Sequence, residues 1–443
     1  MLFFAAGVAV VSALLFASAP LVHTRMQGLA AALREGTDRQ AGGPRQRARA
    51  CLVIAEVALA VVLVAGAGLL ARSVLNLTHV DVGFNRSRLI TFSTTLPQAR
   101  YPQPASRAGV YQSMLERLRA VPGVTSASAM SGLPPERMLA TMATDFDGYV
   151  AGPGDPPEFA DYTNYVHGHY FQTMGIPILQ GPGFEPSDAT LPGLVVIVNK
   201  TLAETFWKGR DPIGHRLRPC CSDQTPWFTV VGVAADVKQG GIDKKAGTEI
   251  YFSLDQIARL GWAIGTMHVV VRTTAPFEES APFIRDVARE IDPTVPIVRL
   301  REMDDVLQES IRRPRLLSHT VSLFAGLALL IAVIGTYGLL SYTVTNRRRE
   351  IGIRLALGAS RAAILAHILR WGVALVLIGT VAGVAAAIGL SQFITSLLFG
   401  IAATDATTLV AVVAGVMAVG TLACSIPAWR ASRLDPLLLI RED

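Results

Sequence analysis

The sequence predicts a membrane α-helical protein of about five transmembrane helices that carries one large extracytoplasmic α+β domain. Three observations predict this. The 443-residue chain is 51% hydrophobic and only 17% charged, more apolar than soluble proteins usually are. Its apolar residues gather in five runs long enough to cross a hydrocarbon core of about 30 Å. Between the second and third runs lies one long stretch of ordinary soluble composition.

The runs are Leu2 to Val22, Cys51 to Ala71, Thr320 to Val344, Trp371 to Leu390 and Thr408 to Ile426. The formal charge of +6 is concentrated in the short loops between them. Arg25, Arg34, Arg39, Arg45, Arg47 and Arg49 fill the first loop, Arg347 to Arg349, Arg354, Arg361 and Arg370 the second, and Arg430, Arg433 and Arg441 the tail. The turn from Ser391 to Asp405 has neither Lys nor Arg, and acidic and basic residues nearly balance across the long stretch. The positive-inside rule therefore puts the three basic loops in the cytoplasm and the long segment outside, with all five helices alternating consistently. A basic charge distributed this way indicates no nucleic-acid partner.

The first helix, residues 1–22, ends in Ala17-Ser18-Ala19, which resembles a signal-peptidase site. No Lys or Arg precedes it, however, and Pro20 would occupy the first mature position, so a retained helix is expected. Its end, Ser18 to Glu35, aligns without a gap on Ser425 to Glu442: an apolar helix, Pro, basic residues, a turn, an apolar stretch and a final Arg-Glu. This predicts one element present twice, with the first helix as the last span of a preceding copy. Residues 23–50, with six arginines and Gly42-Gly43-Pro44, read as a cytoplasmic basic linker. Within the span 51–72, Glu56 is expected one turn inside, where the positive end of the helix dipole favours a carboxylate; an ion-pathway role is the alternative.

The extracytoplasmic segment 73–315 divides in three. Residues 73–140 hold a β-α-β unit: alternating Leu89 to Ser93, amphipathic Ala105 to Leu118, and Val124 to Ala129 after Pro122-Gly123. Residues 264–315 repeat it with Met267 to Arg272, Pro276 to Ile291 and Pro296 to Leu300, and two such units close into a small α/β sandwich. Residues 141–263 are expected as an inserted, β-rich subdomain. Four cysteines are too few for a disulfide framework; neighbouring Cys220-Cys221 are read as free thiols in preference to a vicinal disulfide. His167-Gly-His169 near Asp161 is read as polar surface, not as a metal site.

No catalytic centre emerges. The chain has no Gly-Lys dipeptide and hence no Walker A loop, and His-Glu-x-x-His and Gly-x-Ser-x-Gly are also absent. The candidate site is instead the charged segment between the third and fourth spans, loop 346–370. There Glu350 and Arg354 can pair four residues apart, Ile351, Leu355 and Gly358 offer an apolar stripe with a small residue for close approach, and three arginines sit at the headgroups.

Glu350 to Arg361 (EIGIRLALGASR), followed by two spans and Pro427 to Pro436 (PAWRASRLDP), resembles the C-terminal membrane domain of FtsX-like and MacB-like ABC transporter permeases, here residues 316–443 with three transmembrane helices. Tyr170 to Gly181, Asp211 to Arg216 and Val230 to Asp236 resemble the MacB-like periplasmic core domain. The internal repeat, joined by a linker like Ala31 to Gly36, is what the acidobacterial-type duplicated permeases of this family show. The resemblance implies a multi-pass protein of the bacterial inner membrane with no cofactor of its own, since ATP and Mg would be bound by a partner ABC-type ATPase. That subunit would dock on Arg349, Glu350, Ile351, Gly352, Arg354, Leu355, Gly358 and Arg361. It leaves open a second permease half or homodimer and a periplasmic adaptor. The implied function is mechanotransmission: the ATPase shifts the coupling segment, and a helix longer than the bilayer passes the shift to the outer domain, for efflux or extrusion. The alternative is a non-transporting regulator that relays a signal to an extracytoplasmic hydrolase or partner.

Overall fold

The computed structural model describes residues 44–185, 188, 193–219 and 225–433. The expected helix over 2–22, most of the linker, the Cys220-Cys221 pair and the repeat's second arm beyond Arg433 lie outside the described residues. In chain order the elements begin with α1 (Pro44–Thr78), β1 (Leu89–Thr95), α2 (Pro104–Arg119), β2 (Val124–Met130), β3 (Met142–Phe146), β4 (Phe159–Ala160) and β5 (Tyr162–Gly168). There follow α3 (Tyr170–Met174), β6 (Ile178–Gln180), β7 (Val195–Asn199), α4 (Lys200–Phe206), β8 (Arg216–Pro219), β9 (Phe228–Ala234) and β10 (Glu249–Ser253). Next come α5 (Leu254–Arg259), β11 (Thr266–Thr273), α6 (Phe277–Ile291), β12 (Val298–Glu302) and α7 (Met303–Ser310). The chain closes with α8 (Arg312–Asn346), α9 (Arg348–Ala356), α10 (Arg361–Ile394) and α11 (Ala406–Ser432). It forms two compact units, one of Ala65–Phe324 with Ile388–Thr408 and one of the remainder.

In the first unit, β1 alternates so that Ile90 and Phe92 point to one face and Leu89 to the other, as a strand period of two requires. β1 pairs antiparallel with β11 and β12, and β11 pairs antiparallel with β2, which closes the two β-α-β units into one sheet. Leu115 of α2 and Ile284 of α6 pack on Ile90, Phe92, Val269 and Val271. Met174 of α3 and Met303, Val306 and Leu307 of α7 join the cluster on the opposite face with Leu89 and Val270. Both faces of these strands are therefore buried.

The expected insertion is not a separate body. β5 pairs antiparallel with β2 and parallel with β10, and the sheet continues through β7, β9, β8, β3 and β4, so twelve strands among the described residues form one sheet. Its centre holds a buried charge. Glu249 is fully buried, with Arg137 Nη1 at 3.2 Å, Gln239 Nε2 donating to both carboxylate oxygens at 2.9 Å, and Tyr251 Oη donating at 2.7 Å. Burial pushes the Glu249 carboxyl up, against the opposing pull of the Arg137 guanidinium. His167, expected at the surface, is instead buried and lies 3.3 Å from Asp255, and no cluster of metal-ligating side chains occurs among the described residues.

The same unit ties the outer end of α1 to the turn before α11. Arg72 Nη1 lies 2.5 Å from Asp405, and Ser73 Oγ accepts from the Phe399 amide at 2.9 Å. Asp405 caps α11 by accepting from the Thr408 amide at 2.8 Å. Hydrogen bonds from Thr408 and Thr407 hold its carboxyl at about 2.

The second unit holds the apolar lengths of α1, α8, α10 and α11, which among the described residues are the four helices long and apolar enough to cross a bilayer. Residues 44–50 are already helical, so the linker is shorter than expected. Glu56 consequently lies three turns inside α1, beyond the reach of the helix dipole. It packs on Gly335 of α8, and its Oε2 is buried without a hydrogen-bond partner. Glycine lets the helices meet elsewhere too: a Cβ at Gly379 would lie 2.8 Å from Val57 Cβ, and one at Gly383 would lie 2.6 Å from Val61 Cβ. These two glycines, four apart on α10, form the small-residue stripe that allows close helix approach in a membrane.

Candidate functional site

α8 stops at Asn346 because Arg347 leaves helical geometry, at φ −105° and ψ 14°. The chain restarts at once as α9, with the Ile351 amide donating to the Arg347 carbonyl at 2.9 Å. Glu350 lies in the first turn of α9 and Arg354 in the last, the arrangement the helix dipole favours. They form the expected i,i+4 ion pair, with Arg354 Nη2 2.5 Å from Glu350 Oε1. Both are solvent-facing, so the pair contributes only about 0.3–0.5 kcal/mol.

The end of α9 explains Gly358. The Ala359 amide donates to the Arg354 carbonyl at 2.9 Å and the Gly358 amide to Leu355 at 3.1 Å, the two bonds of a Schellman cap. Gly358 sits at φ +95°, and a Cβ there would meet nothing within 4 Å. Its conformation by itself calls for glycine, since a left-handed residue is needed there. Two residues later Ser360 Oγ accepts from the Ala363 amide at 3.2 Å and caps α10, which Arg361 begins. The motif Gly-Ala-Ser is thus a helix stop, one spacer and a helix start.

The apolar stripe also differs from expectation. Ile351 is only 7% exposed and Gly352 is buried, while Leu355 is half-buried. The open apolar side chains are Ile353, 48% exposed, and Leu357, 83% exposed. Both stripes have i,i+4 spacing, and only packing decides which one faces inward; that spacing was the signal for Ile353 and Leu357. Arg349 lies in the first turn of α9. Of the predicted residues, Ile351, Glu350 and Arg354 border a cavity of about 540 Å³ together with residues of α8 and α10. Gly358 lies in the turn and Arg361 begins α10.

Residues 50–285 match the MacB-like periplasmic core domain family, more than half of the chain, and residues 322–436 match the FtsX-like permease C-terminal family. The pyoverdine export ATP-binding/permease protein PvdT of Pseudomonas savastanoi pv. phaseolicola is 27% identical over 294 residues, covering 64% of this chain and 43% of that protein. The macrolide export ATP-binding/permease protein MacB of Acinetobacter baylyi is 25% identical over 292 residues, covering 63% of this chain and 42% of that protein. The chain thus spans less than half the length of these relatives. Among solved structures, the periplasmic region of MacB from Actinobacillus actinomycetemcomitans is similar at 14% identity with a TM-score of 0.33, covering 51% of this chain and 94% of that one. The extracellular domain of the ABC-type transporter YknZ from Gram-positive bacteria is similar at 16% identity with a TM-score of 0.31, covering 48% of this chain and all of that one.

Proposed function

Because this chain belongs to the family of membrane permeases with a MacB-like periplasmic core domain and an FtsX-like permease C-terminal domain, we propose that it is the permease subunit of an ABC exporter, driven by a separate ATPase docked on α9. The relatives are named as exporters that join ATP-binding and permease functions, whereas the sequence here has no Walker A loop. ATP and Mg would then bind on the partner, and the chain would sit in the inner membrane with its core domain outside.

The observation that carries this reading is the exposed Ile353 and Leu357 pair on a short helix stopped and restarted by fixed caps. A helix of nine residues with two open apolar side chains offers a ready groove-filling face to a partner. α8 supports the transmission step: it runs unbroken for 35 residues, about 52 Å at 1.5 Å per residue, against a hydrocarbon core of about 30 Å. In this reading closure of the ATPase pushes α9, and α8 carries the shift to the outer domain, where substrate moves.

A photo-crosslinker at Leu357 in native membranes should capture a protein containing a Walker A loop. The purified pair should then show ATPase stimulation that falls at least tenfold with Ile353→Asp and Leu357→Asp together. Stimulation unchanged by these substitutions would remove α9 as the contact.

A further inference from the structure

The cavity behind α9 is lined by neither Ile353 nor Leu357. Its volume of about 540 Å³ lies in the range of small-molecule sites, about 300–1,000 Å³. Its apolar lining comes from Leu340 and Val344 of α8 and from Ile364, Ile368 and Trp371 of α10. Its charged lining is basic: Arg347, Arg354 and Arg370, with His367 and a single carboxylate, Glu350. Glu350 is engaged by Arg354. Arg347 and Arg370 pair with no carboxylate among the described residues, and both can present a guanidinium fork to a phosphate.

The order of these linings matters. Leu340, Val344 and Trp371 belong to the apolar runs of the two spanning helices, while Arg347 and Arg370 lie just outside those runs. The groove therefore passes from hydrocarbon depth to headgroup depth, with a tryptophan at the boundary where interfacial aromatics gather. A soluble peptide would have to reach into the bilayer to fill it. An amphiphile with a negative head and apolar tails matches both ends at once.

We propose that this groove is a binding site for an anionic glycerophospholipid of the cytoplasmic leaflet, with its phosphate held between Arg347 and Arg370 and an acyl chain along Leu340, Val344 and Trp371. The bound lipid fills the space between α9 and the two long helices and sets the depth of α9 at the membrane surface. The proposal rests on the helices crossing a bilayer and is independent of ATPase docking.

Native mass spectrometry of the full chain in detergent, titrated with phosphatidylglycerol or with phosphatidylcholine of the same chains, tests it. The wild-type chain should retain phosphatidylglycerol at least tenfold better. Arg347→Ala with Arg370→Ala should erase that preference, Arg347→Lys with Arg370→Lys should keep part of it, and Ile353→Asp with Leu357→Asp should leave it intact. Equal retention of the two lipids by the wild-type chain would overturn the proposal without recourse to any variant. So would displacement of phosphatidylglycerol by millimolar inorganic phosphate, which would mark a free-anion site.

Discussion

Arg137 is the residue on which the buried charge of the outer domain depends. Its side chain is 12% exposed, and it supplies the positive charge at fully buried Glu249. Removing one partner of such a pair leaves an uncompensated charge at a cost of about 3–5 kcal/mol. Arg137→Ala should therefore lower the unfolding free energy of the outer domain by roughly that amount, read by denaturant titration. Arg137→Ala combined with Glu249→Gln should recover much of the loss, because the gap left by arginine then faces a neutral amide. Nothing local in the sequence announces this pair, since 112 residues separate its members. The Glu350–Arg354 pair was legible because its spacing is a property of one helix. Gly358 was recognised as important but for another reason: composition marks a small residue, while φ +95° becomes visible only with the backbone.

At the level of elements, the strands and helices of both β-α-β units lie where period-two and period-3.6 patterns put them, from Leu89–Thr95 to Phe277–Ile291. The joining of β5 to β2 was not legible, because strand pairing across 30 or more residues leaves no trace in local alternation. In the membrane unit the missed signal was the Gly379 and Gly383 spacing, which hydropathy averages away. A larger residue at Gly379 would collide with Val57, and overpacking of this kind costs about 1–3 kcal/mol. Gly379→Leu should accordingly lower the thermal unfolding midpoint of the full chain in detergent. Gly415→Leu on α11, where a Cβ meets nothing within 4 Å, should leave it unchanged.

For the molecule as a whole, transmission in the proposed exporter depends on α8 being stiff. Leu327 and Leu330 are exposed side chains of α8 beside Gly326. Replacing both by Gly weakens the helix by about 1 kcal/mol per site without touching α9. Hydrogen exchange with and without nucleotide in the assembled pair should then keep its change in α9 and lose it in α7, the helix directly before α8. Persistence of the α7 response would show that motion reaches the outer domain by another route.

The pairing of β1 has a consequence in time. Its two partners, β11 and β12, are encoded about 180 and 210 residues downstream. A ribosome adding 5–20 residues per second needs roughly 10–40 s to make the first of them. Through that interval Leu89, Ile90 and Phe92 have neither a neighbouring strand nor a covering helix from the second β-α-β unit, and the nascent chain must export and shelter an open edge before this end of its sheet can exist.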